Sequence, residues 1–163
     1  MSGAKLPFFY GFESSDATSL ALIPLSIRYR LDHCAIKLHL QQWQQFTLTE
    51  RDDLLRSPFA CTADVKDWAT QITAIVQLRC NCAPDQFIDE ATPPWLQMDC
   101  WPDEVANRCT QIDMLLPPLQ VWQQLAPPHR HALCKIARSR HEYVHLPEAL
   151  AEMLAGDKVP RKD

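Results

Sequence analysis

An internal repeat is the feature that most constrains the fold of this chain. Aligning residues 40–56 with residues 119–135, a shift of 79, gives 7 identities in 17 positions. Chance at average composition gives about one. The clearest match pairs Leu40-Gln-Gln-Trp43-Gln-Gln-Phe46 with Leu119-Gln-Val-Trp122-Gln-Gln-Leu125. A unit that recurs in this way predicts two structurally similar halves that bury their apolar faces against each other.

The segment in front of each copy also repeats, at a shift of 78. In both copies four apolar residues follow in steps of 4, 4 and 3, which draws one stripe along an amphipathic helix. They are Ile23, Ile27, Leu31 and Cys34 in the first copy and Trp101, Val105, Cys109 and Ile112 in the second. The chain has 13 prolines, 3 glycines and no convincing two-residue alternation. We therefore expect an all-α fold whose helices begin at proline.

Three helices are expected in each repeated unit. They span about 24–34, about 40–46 and a segment from near Thr49 in the first copy, and about 102–112, about 118–125 and a segment from Pro127 in the second. The third helix of the first copy follows a Thr-x-x-Glu capping box, formed by Thr47 and Glu50.

The pattern as a whole predicts a single helical domain over residues 8–155. It contains the two pseudo-repeated units at about 23–56 and 101–135, together with two further helices. One is a long helix that links the units and is capped by Thr62, and the other is C-terminal, from Pro147.

Composition and charge exclude some classes of partner. The chain has 16 basic and 20 acidic residues, a net charge of −4, which argues against binding to nucleic acid through phosphate neutralisation. The longest apolar stretch, residues 20–25, is too short to cross a membrane. The odd number of cysteines, seven, indicates reduced thiols and a cytoplasmic location. Residues 1–7 and 157–163 are expected to be flexible ends, and the sequence leaves the oligomeric state open.

The sequence His141-Glu-Tyr-Val-His145 has the spacing of a zinc-peptidase motif. On an α-helix this spacing places two imidazoles on one face, with Glu142 beside them as general base. Pro147 follows two residues later and only 18 residues remain after His145, which leaves little chain to build a substrate cleft. We therefore favour a surface helix end, and keep a zinc hydrolase as the less favoured alternative.

A second pair of candidate metal ligands is Cys80-Asn-Cys82, whose thiolates could bind a soft metal ion. Cys100 and Cys109 are the nearest later cysteines, and no second Cys-x-Cys or Cys-x-x-Cys pair follows. Structural thiols are the favoured interpretation. The alternative is a metal or redox carrier that uses Cys80 and Cys82, with His141 and His145 as further candidate ligands.

The repeat itself contains two kinds of residue that could bind a ligand. Trp43 and Trp122 occupy equivalent positions, and we expect both to pack in the core. Arg51 and Arg130 also recur, and could hold a carboxylate or phosphate with two hydrogen bonds. We expect them instead to cap the neighbouring helix end.

A cluster of basic residues ends the third helix of the second copy: Lys135, Arg138, Arg140 and His141. Cations are favoured at a helix C-terminus, so a solvated helix end explains the cluster as well as a docking patch for an acidic partner does. No glycine-rich phosphate loop, nucleophile elbow or pair of catalytic carboxylates accompanies it. The sequence therefore predicts no enzymatic activity and no cofactor.

Several blocks together resemble the nitrate reductase-associated protein family of cyanobacteria and related phototrophs. They are Phe8-Phe9…Phe12-Glu13, Ile23-Pro-Leu-Ser-Ile-Arg-Tyr-Arg-Leu-Asp-His-Cys34, Lys37-Leu-His-Leu40…Trp43 and Lys135-Ile-Ala-Arg-Ser-Arg-His-Glu142. The likeness extends from about Phe8 to about Leu154. This chain departs from it at Ala35, where the family pattern has glycine, and in having Cys80 and Cys82.

The resemblance implies a small cytoplasmic accessory protein that assimilatory nitrate reductase needs for its activity or maturation, and that acts by protein–protein binding. Its implied polar or reactive positions are Arg28, Asp32, Cys34, Arg138, His141 and Glu142. With Arg140, and without Cys34, these are our candidate partner-binding residues. The resemblance leaves open whether the partner is the reductase polypeptide, its molybdenum cofactor or a chaperone.

Overall fold

The computed structural model describes residues 8–87 and 92–156, and the expected flexible ends 1–7 and 157–163 lie outside them. The helices are α1 (Ser15–Thr18), α2 (Leu25–His33), α3 (Leu40–Gln45), α4 (Leu48–Arg56), α5 (Thr62–Cys80), α6 (Asp103–Gln111), α7 (Leu119–Gln124), α8 (Pro127–Arg138) and α9 (Leu146–Gly156). Two 3₁₀ helices (Pro94–Leu96, Glu142–His145) and two short strands, β1 (Ile36–Lys37) and β2 (Asp85–Gln86), complete the list. The expected all-α fold is confirmed.

The described residues fall into two compact units. The N-terminal unit contains residues 8–9 and 13–87, and the C-terminal unit contains residues 10–12 and 92–156. The two repeated segments lie in different units. Each unit is larger than the predicted repeat because a fourth helix packs onto it: α5 packs on α3 and α4, and α9 packs on α8. The single domain over residues 8–155 stays a prediction.

Helices α2, α3 and α4 of the N-terminal unit correspond in order to α6, α7 and α8 of the C-terminal unit, and α1 precedes the repeat. Helices α2 and α6 each have nine residues and begin after a proline, and α3 and α7 each have six. Helix α4 has the Thr47–Glu50 capping box that the sequence predicts, whereas α8 begins directly at Pro127. The predicted cap of α5 is wrong by one residue: Cys61 is the N-cap, and its capping-box partner is Asp64.

Helices α2 and α6 are each followed, one residue after the C-cap, by a residue with left-handed backbone. Ala35 has φ 56° and Asp113, 78 residues later, has φ 53°. Glycine is favoured in this conformation because it has no Cβ. The structure thus gives a physical reason for the glycine that the resemblance leads us to expect at position 35.

Both repeated tryptophans are fully buried, as the sequence predicts. Trp43 Nε1 donates a hydrogen bond of 2.8 Å to the Leu20 carbonyl oxygen, and Trp122 Nε1 donates one of 2.7 Å to that of Gln97. The two accepting carbonyl groups lie in the segments that precede α2 and α6. The tryptophans therefore pack in the core and tie these segments to α3 and α7.

The repeated arginines Arg51 and Arg130 cap the end of the second helix, which confirms the favoured interpretation. Arg51 donates to the carbonyl oxygens of Phe46 at 2.9 Å and Gln44 at 3.0 Å, and Arg130 donates to that of Leu125. Phe46 and Leu125 are the C-cap residues of α3 and α7. Both arginines are buried, so these hydrogen bonds satisfy carbonyl groups that the ended helices leave without an intrahelical donor.

A second pair of arginines caps α4 and α8. Arg30 donates to the carbonyl oxygens of Leu54 and Ser57, both at 2.8 Å, at the end of α4. Arg108, at the same position of the repeat, donates to the Ala137 carbonyl oxygen at 2.7 Å, near the end of α8. The repeat thus preserves interactions between side chains and backbone as well as an apolar stripe.

The residues that do not repeat complete each unit differently. In the N-terminal unit β1 and β2 form an antiparallel pair with Ile36 opposite Gln86. In the C-terminal unit the Gly11 amide donates to Glu152 on α9 at 2.8 Å, and Tyr10 Oη is bonded to His129 Nδ1 on α8 at 2.8 Å. Within residues 8–87 and 92–156 every helix is too short or too polar to cross a bilayer.

We predict that replacing Arg51 by Met lowers the free energy of unfolding by about 3 kcal/mol, because buried carbonyl groups lose a charged donor. Chemical denaturation followed by circular dichroism measures the change. Arg56→Met is the control, since exposed Arg56 contacts only groups near the surface, Asp52 one helical turn away and the Phe8 ring among them, and its loss should be about 1 kcal/mol or less. Equal losses in both variants would contradict the capping role.

A second prediction concerns the pH dependence of stability at Glu50. Arg79 on α5 lies 2.7 Å from this carboxylate, and hydrogen bonding to Arg79 lowers the pKa of Glu50. The resulting stabilisation is present above the ordinary pKa of Glu50 and is lost as the pH falls through the lowered value. Glu50→Gln should therefore lower the thermal midpoint at pH 7, by less than Arg51→Met does, and leave it unchanged near pH 2. A deficit that persists at pH 2 would contradict this origin.

Candidate functional site

The candidate partner-binding residues lie at two places, one in each unit. Arg28 and Asp32 are on α2, one helical turn apart, and Arg28 is exposed while Asp32 is half-buried. Arg28 Nε donates to the Ile23 carbonyl oxygen at 3.1 Å, so its side chain folds back over the start of its own helix. The other four candidates, Arg138, Arg140, His141 and Glu142, follow one another where α8 ends.

We call residues 138–143 the basic corner. Ser139 is the C-cap of α8, and its hydroxyl accepts hydrogen bonds from the amides of His141 at 3.3 Å and Glu142 at 3.1 Å. These bonds fix the turn into the following 3₁₀ helix. Arg140, His141 and Glu142 are exposed, so the turn presents two basic side chains and one acidic side chain to solvent.

Arg138 differs from its neighbours in the basic corner because it has an acidic partner. Its Nε lies 2.7 Å from Glu104 Oε2 on α6, and the Glu104 side chain is only 22% exposed. Glu104 is not among the residues predicted from the sequence. Its signal is its place in the first turn of α6, where a carboxylate stabilises the helix start.

An aromatic contact holds the basic corner against α6. The Arg108 guanidinium lies over the Tyr143 ring, 4.4 Å from the ring centre. Arg108 also donates to the carbonyl oxygen of Ala137 and to Gln111 Oε1, both at 2.7 Å. Because one arginine contacts the end of α8 and the 3₁₀ helix together, the corner has a fixed shape.

The His-Glu-x-x-His segment is not α-helical, which corrects the geometry assumed for it. Glu142–His145 is a 3₁₀ helix, with three residues per turn. His141 and His145 are four residues apart, so that geometry turns them about 120° away from a common face. His145 Nδ1 instead lies 3.5 Å from Glu148 Oε2, and its ring stacks on Phe12.

The cysteine pair lies where α5 ends. Cys80 is the last residue of α5, Asn81 has left-handed backbone, and Cys82 is exposed. Gln42 Nε2 donates to Cys82 Sγ at 3.9 Å. Burial and the neighbouring Cys82 raise the pKa of Cys80, which favours the neutral thiol. In the part of the chain that the structure describes, no three His, Cys, Asp or Glu side chains are grouped so as to hold a metal ion.

The remaining thiols divide into buried and exposed groups. Cys109 and Cys134 are buried, Cys34 is half-buried, and Cys61 and Cys100 are exposed. Burial raises the pKa of Cys134 far above its ordinary value, and the Glu104 carboxylate raises it further. Burial also raises the pKa of Cys34, while the nearby Arg30 guanidinium opposes this effect. Cys34 is therefore not an activated thiolate.

The N-terminal unit also contains a cavity that the sequence did not predict. It has a volume of about 360 Å³ and lies beside the start of α5. Tyr29 and His33 form part of its wall from α2, and Phe59 and Cys61 from the α4–α5 loop. The one available sequence signal is the spacing of Tyr29 and His33, which places both rings on one helical face.

Alkylation rates should follow this division of the thiols. We predict that iodoacetamide modifies Cys61, Cys82 and Cys100 in the native protein at least about a hundredfold faster than Cys109 and Cys134, which react only after local opening. Mass spectrometry of peptides from a time course measures each rate. All seven cysteines should react alike in denaturant. Native-state labelling of Cys134 as fast as that of Cys82 would contradict the structure.

Comparison with known proteins gives one match. No curated protein matches the chain, and no solved structure matches it. A family model described as "Conserved nitrate reductase-associated protein" matches residues 9–153. The match covers both repeated units, the cavity and the basic corner. The chain therefore belongs to the conserved nitrate reductase-associated protein family.

Proposed function

We propose that this protein is an accessory protein of assimilatory nitrate reductase that acts by protein–protein binding and performs no chemistry of its own. Its family is named for association with nitrate reductase. The observation that carries the proposal is the use made of the repeated polar residues. The arginines and tryptophans that recur in both units all donate to backbone carbonyl oxygens within their own unit. These residues stabilise the fold, so we expect the residues that differ between the units to bind the partner protein.

The basic corner is the surface that we assign to the reductase. The side chains of Arg140 and His141 are exposed on a turn that Ser139 and Arg108 hold in shape. A preformed surface loses little conformational entropy on binding, which favours affinity. Its cations select an acidic surface on the partner and speed the encounter with it.

Arg138 has a different part in this surface. Its ion pair with Glu104 positions it and partly neutralises it, so it supplies shape more than net charge. Reversing its charge would place two carboxylates together at a partly buried site and destabilise α6 and α8. Arg140 is therefore the better residue for testing charge complementarity.

Binding alone is sufficient for an effect on the enzyme. A partner that binds the active or correctly assembled form of the reductase in preference to other forms raises the population of that form. Such linkage needs no catalytic group, metal or cofactor on the accessory protein. We place the protein in the cytoplasm, where its seven thiols would stay reduced.

We predict that the double variant Arg140→Glu, His141→Ala binds nitrate reductase about tenfold more weakly than the wild type, because the charge of Arg140 is reversed and an exposed imidazole that can hydrogen-bond to the partner is removed. The measurement is a pull-down of untagged reductase, with and without its molybdenum cofactor, followed by titration of the form that binds. The thermal midpoint of the double variant should stay close to that of the wild type, since both side chains are exposed.

Two matched variants separate the basic corner from general charge effects. Lys66→Glu changes an exposed lysine on α5 and should leave binding unchanged. Arg28→Glu tests the candidate residue of the N-terminal unit in the same assay. Wild-type binding by the Arg140 and His141 double variant would remove the basic corner as the interface. Stoichiometric metal in untagged protein, lost when Cys80 and Cys82 become Ser, would replace this proposal by the metal carrier.

A further inference from the structure

The cavity in the N-terminal unit has the size and lining of a small ligand site. Its volume of about 360 Å³ is within the range of pockets that bind small molecules, and exceeds what one side chain would fill. Three rings line it, together with Cys61, Thr62 and Val65 at the start of α5. The cavity thus combines aromatic faces with a few polar groups.

The three rings are arranged to receive a flat group. The planes of Tyr29 and Phe59 are 72° apart and those of His33 and Phe59 are 77° apart, with ring centres 6.1 and 5.6 Å from each other. Rings set nearly at right angles allow a planar guest to stack on one face while its edge meets another. Both arrangements are favourable between aromatic groups.

A half-buried cation, Arg30, lies against one of these rings and determines which charge on a guest is favoured. The Arg30 guanidinium lies 5.1 Å from the centre of the Phe59 ring. The hydrogen bonds that the structure gives it go to the carbonyl oxygens of Leu54, Leu55 and Ser57, so no carboxylate neutralises it through them. Burial lowers the pKa of Arg30 to about 10, so it stays charged at neutral pH. A cation against one face of a ring leaves the ring less attractive to a second cation.

A carboxylate at the start of α5, that of Asp64, already has hydrogen-bond partners. Asp64 accepts hydrogen bonds from the amides of Ala60 at 2.8 Å and Cys61 at 3.2 Å, and these bonds lower its pKa. Its charge is therefore matched to the α4–α5 loop and to the helix start. The half-buried Arg30, against the Phe59 ring, therefore remains a positive charge beside the cavity.

The C-terminal unit shows which parts of this arrangement the fold needs. There Arg108 lies over Tyr143 as Arg30 lies over Phe59, so the contact between arginine and aromatic ring is structural in both copies. The equivalents of Tyr29 and His33, at a shift of 78, are Asn107 and Gln111. The two extra rings are therefore not required by the repeat, and we attribute them to a role specific to the N-terminal unit.

We propose that this cavity binds a small planar aromatic anion, through stacking on Tyr29, His33 and Phe59 and attraction to Arg30. This site is separate from the basic corner and goes beyond the proposed function. Neither the family description nor the sequence resemblance assigns a ligand to it.

The test compares two probes that share a ring and differ in charge. Indole-3-acetate should bind saturably and shift the amide resonances of residues 59–65 in two-dimensional NMR. Tryptamine, which carries the same indole with a positive charge, should bind at least about tenfold more weakly. Cyclohexylacetate, an anion without an aromatic ring, should also bind more weakly, which separates stacking from charge.

Protein variants then locate the site. His33→Ala removes one exposed wall and should weaken binding of indole-3-acetate about three- to tenfold without unfolding the unit. Phe59→Leu should weaken it as well, and its thermal midpoint is measured alongside because Phe59 also packs on Trp68. Tyr143→Leu is the matched control from the C-terminal unit and should bind as the wild type does. Equal binding of indole-3-acetate and tryptamine, the absence of saturable binding, or an equal loss in Tyr143→Leu would overturn the proposal.

Discussion

Hydrogen bonds from arginine and tryptophan side chains to backbone carbonyl groups hold this fold together, and those of the arginines go to the ends of helices. Helices of six to nine residues, such as α2, α3 and α4, are too short to be stable alone. Each also ends with carbonyl groups that lack an intrahelical donor. Arg30 and Arg51, with their counterparts in the second unit, supply these donors from neighbouring helices. The contacts between helices thus bury apolar side chains and also supply hydrogen-bond donors to the carbonyl groups at helix ends.

This use of arginine separates structural residues from residues available for recognition. An arginine whose donors are engaged with buried carbonyl groups is poorly placed to bind a partner, however well it recurs in the sequence. The loop between α4 and α5 carries different side chains from the segment between α8 and α9. One unit has Phe59 and Cys61 there, and the other has Arg140 and His141. The two units share the same stable arrangement of helices, and the sequence of this loop differs between them.

Much of the fold could be predicted from the sequence because its signals are local. Proline starts, the Thr47–Glu50 capping box and the spacing of the repeat predicted the repeated helices to within one or two residues, whereas the short α1 was not predicted. The capping role of Arg51 could also be predicted from its recurrence. The Cys61 cap of α5 and the 3₁₀ geometry of Glu142–His145 could not, because cysteine is an uncommon cap and His-Glu-x-x-His usually occurs on an α-helix.

The sequence by itself determined the helical class, the duplication and the family, since these depend on residue order and spacing. Only the tertiary structure decided which charges are satisfied and which rings converge. The ion pair of Arg138 with Glu104 joins residues 34 positions apart, and the cavity brings Tyr29 beside Phe59, 30 positions away. Such contacts depend on how helices pack, and no local pattern of residues encodes that packing.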